Sequence, residues 1–287
     1  MMLTIDHAAL VQCAYGLPPL PQSAARLTQL LAAAEADRGE IVKVIECDPT
    51  LTMKLLRHAN SVVGGSRRRI GTVKEALIRL GTGTVAGFAV GSCVRPLMGK
   101  KISGYNVAES DFWSHSLTAA FAADSIQAHC CNWVGPLAFT AALLHDIGKL
   151  VLGQFLNAEL TAWLERAVLE GHRAAFQAES EILSLHHGEA GGVIAQHWGL
   201  PDILTRGIIY HHEPEEGADG ICYVTYLANL VAHRLAAEQQ TDGGTPAAWV
   251  ADEVGPALTC LGLAEEDLSS VCADARKGLE TVSGQMD

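Results

Sequence analysis

Long hydrophobic runs are missing from this chain. Its most apolar segment, Val85 to Val94, is ten residues long, about half of the ~20 that a membrane-spanning helix needs. The opening residues Met1-Met2-Leu3-Thr4-Ile5-Asp6-His7 lack the basic start and apolar core of a signal peptide. A basic excess is missing as well: 20 Lys and Arg face 32 Asp and Glu, a formal net charge of −12. Such a surface repels nucleic-acid phosphates, so no nucleic-acid partner is expected. The short run Arg67-Arg68-Arg69 reads as a solvated loop. Paired cysteines are missing too. None of the eight cysteines stands in a CxxC spacing, and the adjacent Cys130-Cys131 suits neither a zinc knuckle nor a redox pair. Reduced, buried thiols and a cytoplasmic location without a membrane anchor are therefore the expectation.

Strand signals are also scarce, which leaves helices. Ala and Leu recur at spacings of three and four, and sustained apolar/polar alternation is hard to find. Ser23 opens a helical run to about Ala36. Gly39 to Cys47 places Ile41, Val44 and Ile45 on one face. Asp48-Pro49 is a start signal, an acceptor side chain followed by proline, for a helix to Ala59. Thr72-Val73-Lys74-Glu75 has the form of a capping box. Gly83, Gly87 and Gly91 recur every fourth residue, a bare stripe along which a second helix can approach closely. A turn-rich break at Gly99 to Asn106 divides residues 1–105, an N-terminal helical lobe, from residues 106–240. The polar stretch Gln239 to Thr245 reads as a linker to a C-terminal helical extension, residues 241–287.

The candidate chemistry lies between Asp111 and Asn229, where histidines and carboxylates fall at helical spacings. Asp111 and His115 are four apart and share a helix face, although a capping role for Asp111 is the plainer alternative. His145-Asp146, in Leu143-Leu144-His145-Asp146-Ile147-Gly148-Lys149, end an apolar helix, and an aspartate buried there needs a partner. A cation supplies one. His187 precedes Gly191 and Gly192, and His211-His212 follow Ile208-Ile209-Tyr210. A mixed imidazole and carboxylate set suits one or two divalent ions such as Fe, Mn or Zn. Single histidines in helices are mostly surface or hydrogen-bonded core residues, and His7, His58, His129, His172 and His233 are read that way.

The doublet within His145-Asp146-Ile147-Gly148-Lys149 resembles the hallmark of the HD superfamily, and the surrounding order is similar to its HD-GYP phosphodiesterase branch. That resemblance implies metal ligands at Asp111, His115, His145, Asp146, His187, His211 and His212, and a final aspartate where this chain has Asn229. Asn229 carries no charge and holds a divalent ion more weakly. The glycine-tyrosine-proline loop that would follow the histidine pair is replaced by Glu213-Pro214-Glu215-Glu216-Gly217. The N-terminal half resembles a narrower family, the HDOD module, through Leu17-Pro18-Pro19-Leu20-Pro21, Cys47-Asp48-Pro49-Thr50-Leu51 and Leu55-Leu56-Arg57-His58-Ala59-Asn60-Ser61. Ile70-Gly71-Thr72-Val73-Lys74-Glu75-Ala76-Leu77-Ile78-Arg79-Leu80-Gly81 is equally similar, so the matches span roughly Leu17 to His212.

The implied fold is all-α, a multi-helix HD-like bundle with an N-terminal helical lobe. The implied function is a regulatory output module in signal transduction, with a largely retained divalent-metal site, acting through a signalling partner or a small ligand. The alternative is a metal-dependent phosphohydrolase for a nucleotide or cyclic dinucleotide. In that case Asp146 and Lys149 would be its catalytic residues, Lys149 as a point charge near the phosphate. Asn60 is read as a local backbone clamp rather than a ligand-binding group.

Overall fold

The computed structural model describes residues 5–33, 37–62, 69–98, 102, 104–171, 174–240 and 249–283. Arg67, Arg68, His172 and most of the expected linker lie outside them. Among the described residues there is no strand, only an isolated bridge between Ile102 and Val107. No single helix there is long and apolar enough to cross a membrane.

Six helices form the first half: α1 (His7–Tyr15), α2 (Gln22–Ala32), α3 (Arg38–Glu46), α4 (Pro49–Val62), α5 (Val73–Leu80) and α6 (Thr82–Met98). Their ends follow from local chemistry. Asp48 accepts from the Leu51 N–H at 3.0 Å, capping α4, while Ser23 Oγ donates to its other oxygen at 2.8 Å. Thr72 caps α5 through the Glu75 N–H at 3.1 Å; Glu75 reaches back to Gly71, one residue earlier than a strict capping box. Asn60 donates to the Leu56 and Ile70 carbonyls and accepts from the Ile70 N–H, the clamp its position suggests.

The second half holds α7 (Glu109–His129), α8 (Ala138–Leu144), α9 (Lys149–Leu152), α10 (Ala158–Gly171), α11 (Ala175–Leu183) and α12 (His187–His197). It continues through α13 (Asp202–Ile209), α14 (Pro214–Gly217), α15 (Gly220–Gln240), α16 (Ala251–Leu261) and α17 (Asp267–Ser283). The glycine stripe of α6 lies on α8. A Cβ on Gly83 would overlap the Pro136 carbonyl, one on Gly87 the Phe139 ring, and one on Gly91 the Leu143 side chain. Helix α7 is enclosed by α8, α15 and α17. One apolar core runs from α1 through α13 and into the start of α15. A second is built by α7, α8, α15, α16 and α17, so the last two helices close over the bundle.

Candidate metal centre

Five elements converge on one buried point. Helix α8 is buried along its whole length, and its C-cap residue His145 is fully buried, with Asp146 3% exposed. The turn that follows comes against the start of α12. Gly148 makes this possible, because a Cβ there would overlap the His187 carbonyl. His187 therefore opens α12 beside Asp146, while His186, one residue earlier, turns away to cap the helix through the Gly188 N–H at 3.1 Å. His211 and His212 follow the end of α13, His115 comes from α7, and Asn229 from the middle of α15.

The ring protons of three histidines are fixed by acceptors outside the group. His145 Nδ1–H donates to the Ala142 carbonyl and His211 Nδ1–H to the Ile208 carbonyl, each at 2.7 Å. His187 Nδ1–H donates at 2.7 Å to Glu179, which also accepts the His187 backbone N–H at 2.7 Å. With Nδ1 turned outward, the Nε2 of each ring faces inward, where an unprotonated nitrogen offers a lone pair. The two Asp146 oxygens face different neighbours. Oδ1 is 3.1 Å from His187 Nε2 and 3.9 Å from His211 Nε2. Oδ2 is 3.4 Å from His145 Nε2, 3.7 Å from His115 Nε2 and 2.7 Å from Lys149 Nζ. His187 Nε2 lies 3.2 Å from His211 Nε2 and 3.0 Å from His212 Nε2; His115 Nε2 lies 3.2 Å from His145 Nε2 and 3.1 Å from Asn229 Oδ1.

The electrostatics suit ligation. Burial pushes the His115, His211 and His212 rings well below the usual imidazole range, which keeps them neutral. Burial alone would raise the Asp146 carboxyl, but His145, Lys149 and its hydrogen bonds more than offset that and hold it well below the usual range. His187 is the exception: burial lowers it, yet Glu179 and Asp146 outweigh burial and raise it. A proton on His187 Nε2 and a cation thus compete for one place between two carboxylates. Asp146 and Glu179 are both buried, and Lys149, on Asp146, is the one lysine or arginine ion-paired with either among the described residues, which leaves room for further positive charge. Imidazole and carboxylate donors lie within 4.8 Å of one another in two sets, His115–His145–Asp146 and His187–His211–His212, and this donor chemistry fits one or two divalent ions.

The structure separates one expected ligand from the rest. Asp111 is exposed in the first turn of α7, where it accepts from Ser110 Oγ at 3.2 Å. Four-residue spacing gives the same face as His115, but this end of the helix stands in solvent, where negative charge is favoured by the helix N-terminus. Two further residues lie at the group, Glu179, which sequence reasoning passed over, and His233, which it read as an ordinary surface or core histidine. Glu179 is the acceptor behind His187; its signal was an acid three and four residues before the buried Ile182 and Leu183, on the apolar face of α11. His233, one turn after Asn229, packs its ring 4.6 Å from that of His115.

An all-helical body with a buried histidine and aspartate group on this turn defines an HD-related module. Residues 17–214 match the HDOD domain model, and the chain belongs to the HDOD family. Solved structures are similar in fold. An HDOD domain protein of unknown function from Geobacter sulfurreducens is 21% identical, with a TM-score of 0.66 and 97% of each chain covered. A candidate phosphohydrolase from Shewanella amazonensis SB2B is 23% identical at TM-score 0.66, covering 96% of this chain and 97% of that one. A candidate signal transduction protein from Marinobacter aquaeolei VT8 is 22% identical at TM-score 0.69, covering 97% of this chain and 63% of that one. An uncharacterized protein of Treponema pallidum (strain Nichols) is 25% identical over 239 residues, 80% of this chain. The chain spans 44% of the length of that relative.

Proposed function

We propose that this chain is a regulatory HDOD module that holds one or two divalent metal ions and acts in signal transduction through a partner or small ligand. The observation that carries the metal is the outward commitment of three ring protons, at His145, His187 and His211. Ligating histidines are held this way, by a carbonyl or carboxylate on the far nitrogen. His145, Asp146, His115 and Asn229 would hold an ion on one side, and His187, His211 and His212 on the other. When bound, the ion supplies Lewis acidity and the positive charge missing beside Asp146 and Glu179. The chain's own residues do the positioning. Ala142, Ile208 and Glu179 set the rings, and Lys149 steadies Asp146 Oδ2.

Burial favours regulation over turnover. His145 and His211 are 0% exposed and His187 is 1% exposed, and only His115 and His212 among the proposed histidine ligands are partly exposed. A hydrolytic metal site keeps a position open to water and substrate. The uncharged Asn229 and the absent glycine-tyrosine-proline loop support the same reading. One observation favours a metal-dependent phosphohydrolase instead: Asp146 turns a separate oxygen to each histidine set, as a carboxylate bridging two ions does. Asp146 and Lys149 would then act at the phosphate of a nucleotide or cyclic dinucleotide.

Elemental analysis of the purified protein decides the first point, and turnover of bis(4-nitrophenyl) phosphate with Mn or Fe supplied decides the second. The expected result is bound Fe, Mn or Zn, a lower melting temperature after EDTA, no such EDTA effect in Asp146→Ala, and no turnover. Turnover abolished by Asp146→Ala would establish the hydrolase. Absence of metal under every loading condition would sink both readings of the pocket.

A further inference from the structure

A second cavity lies across α7 and α8 from the histidines. Trp113, Leu117 and Phe121 fall at four-residue spacing on one face of α7, and His115, two residues from Trp113 and Leu117, points about 200° away from it. Phe139 and Leu143 of α8 and Phe88 of α6 complete the apolar wall of a cavity of about 440 Å³. That volume falls within the ~300–1,000 Å³ of small-ligand pockets.

The charged residues of this cavity run against the rest of the chain. Acids outnumber bases 32 to 20 overall, yet among the described residues Lys54, Arg57 and Arg95 line the cavity against a single carboxylate, Glu109. Arg57 and Arg95 are exposed, so their charges stand at the rim, not in the apolar interior. Lys54 Nζ donates to the Ser92 carbonyl at 3.3 Å, and the Arg95 guanidinium lies 5.7 Å from the centre of the Trp113 ring. Trp113 is 8% exposed, and its Nε1–H is buried without an acceptor among the described residues. An orphaned indole donor is costly in a folded protein unless something else accepts from it.

We infer that this cavity binds a small organic anion with a flat, ring-bearing body. Phe88, Trp113 and Phe121 take the ring, and Arg57, Arg95 and Lys54 take the carboxylate, sulfonate or phosphate by charge-assisted hydrogen bonds. Guanidinium at the rim and aromatics beneath it select for both features together. None of these residues belongs to the histidine and aspartate group, so the inference stands or falls independently of the metal.

Calorimetric titration of the full chain with naphthalene-2-sulfonate tests it, with uncharged 2-naphthol as the matched control and EDTA-treated protein alongside. The expected result is one saturable site per chain, with and without EDTA, and affinity for the sulfonate about tenfold or more above that for the naphthol. R57Q/R95Q, at two exposed positions where the fold is retained, is expected to weaken sulfonate binding by about tenfold or more and leave naphthol binding unchanged. Decanoate, an anion with a chain in place of a ring, is expected to bind more weakly than the sulfonate. Any of three results would overturn the assignment: no saturable binding, equal affinity for sulfonate and naphthol, or an R57Q/R95Q variant, folded by circular dichroism, that binds the sulfonate as the parent does.

Discussion

The two sides of α7 obey one rule in opposite ways. On the His115 side, His145, Asp146, His187 and His211 are buried, and each fixed ring proton has its own outward acceptor in Ala142, Ile208 or Glu179. On the Trp113 side, the interior is apolar and the charges of Arg57 and Arg95 stay at the solvent. A charge goes inside only when partners meet it there; otherwise it remains in water. A helix packed between two such regions can therefore separate two chemistries by two residues, because two residues is about 200° of rotation.

The comparison predicts different tolerance to an added methyl group. Gly148→Ala is expected to destabilise by about 3 kcal/mol or more, because its Cβ would overlap the His187 carbonyl and the Gly191 backbone, which cannot yield separately. Gly87→Ala meets a side chain, the Phe139 ring, and that ring borders the cavity into which it can swing. Its cost is expected below about 1 kcal/mol, since alanine also favours the helix by about that amount. Urea denaturation of both variants gives the ranking. Equal losses would mean the cavity side is packed as rigidly as the histidine side.

Glu179→Gln sharpens the account of the histidine side. The amide keeps the size and an acceptor oxygen but removes the charge behind His187, and a weakened outer partner is expected to lower metal affinity by about tenfold. Competition against a chromophoric chelator measures it. Unchanged affinity would mean that the charge of Glu179 does not act on the metal through His187.

The helices were legible because their signals are local. Asp48 before Pro49, Thr72 before Glu75 and the glycines at 83, 87 and 91 each act within a turn or two. The His145-Asp146 doublet was legible for the same reason: a carboxylate in an apolar helix end asks for a partner. Asp111 misled because spacing reports which face a side chain shares, not whether that end of the helix is buried. Glu179 was missed because its partner lies eight residues on, across the break between α11 and α12, where no helical period applies. Asn229 entered through family resemblance alone. The cavity was not legible at all, since Lys54, Arg95 and Phe139 meet only through the packing of α4, α6 and α8.

His58 gives the cleanest titration on the cavity side. It is 5% exposed, its ring is stacked 4.0 Å from that of Phe88, and burial pushes it from 6.5 down to about 4. The unfolded chain therefore binds a proton at a pH where the folded chain does not, so protonation favours unfolding. The stability tied to neutral His58 is complete above about pH 6.5 and is lost as pH falls from there toward 4. Between pH 7 and pH 5 that amounts to about 2 kcal/mol. His58→Leu removes the titrating group and keeps an apolar wall, so its stability is expected to fall by about 2 kcal/mol less than the parent's over this interval. Denaturant midpoints with EDTA throughout keep loss of metal out of the comparison, and His233, also lowered to about 4, titrates in both proteins and cancels. Parallel pH profiles for parent and variant would mean that His58 accepts its proton in the folded chain, and that the cavity behind Phe88 admits water as freely as the rim does.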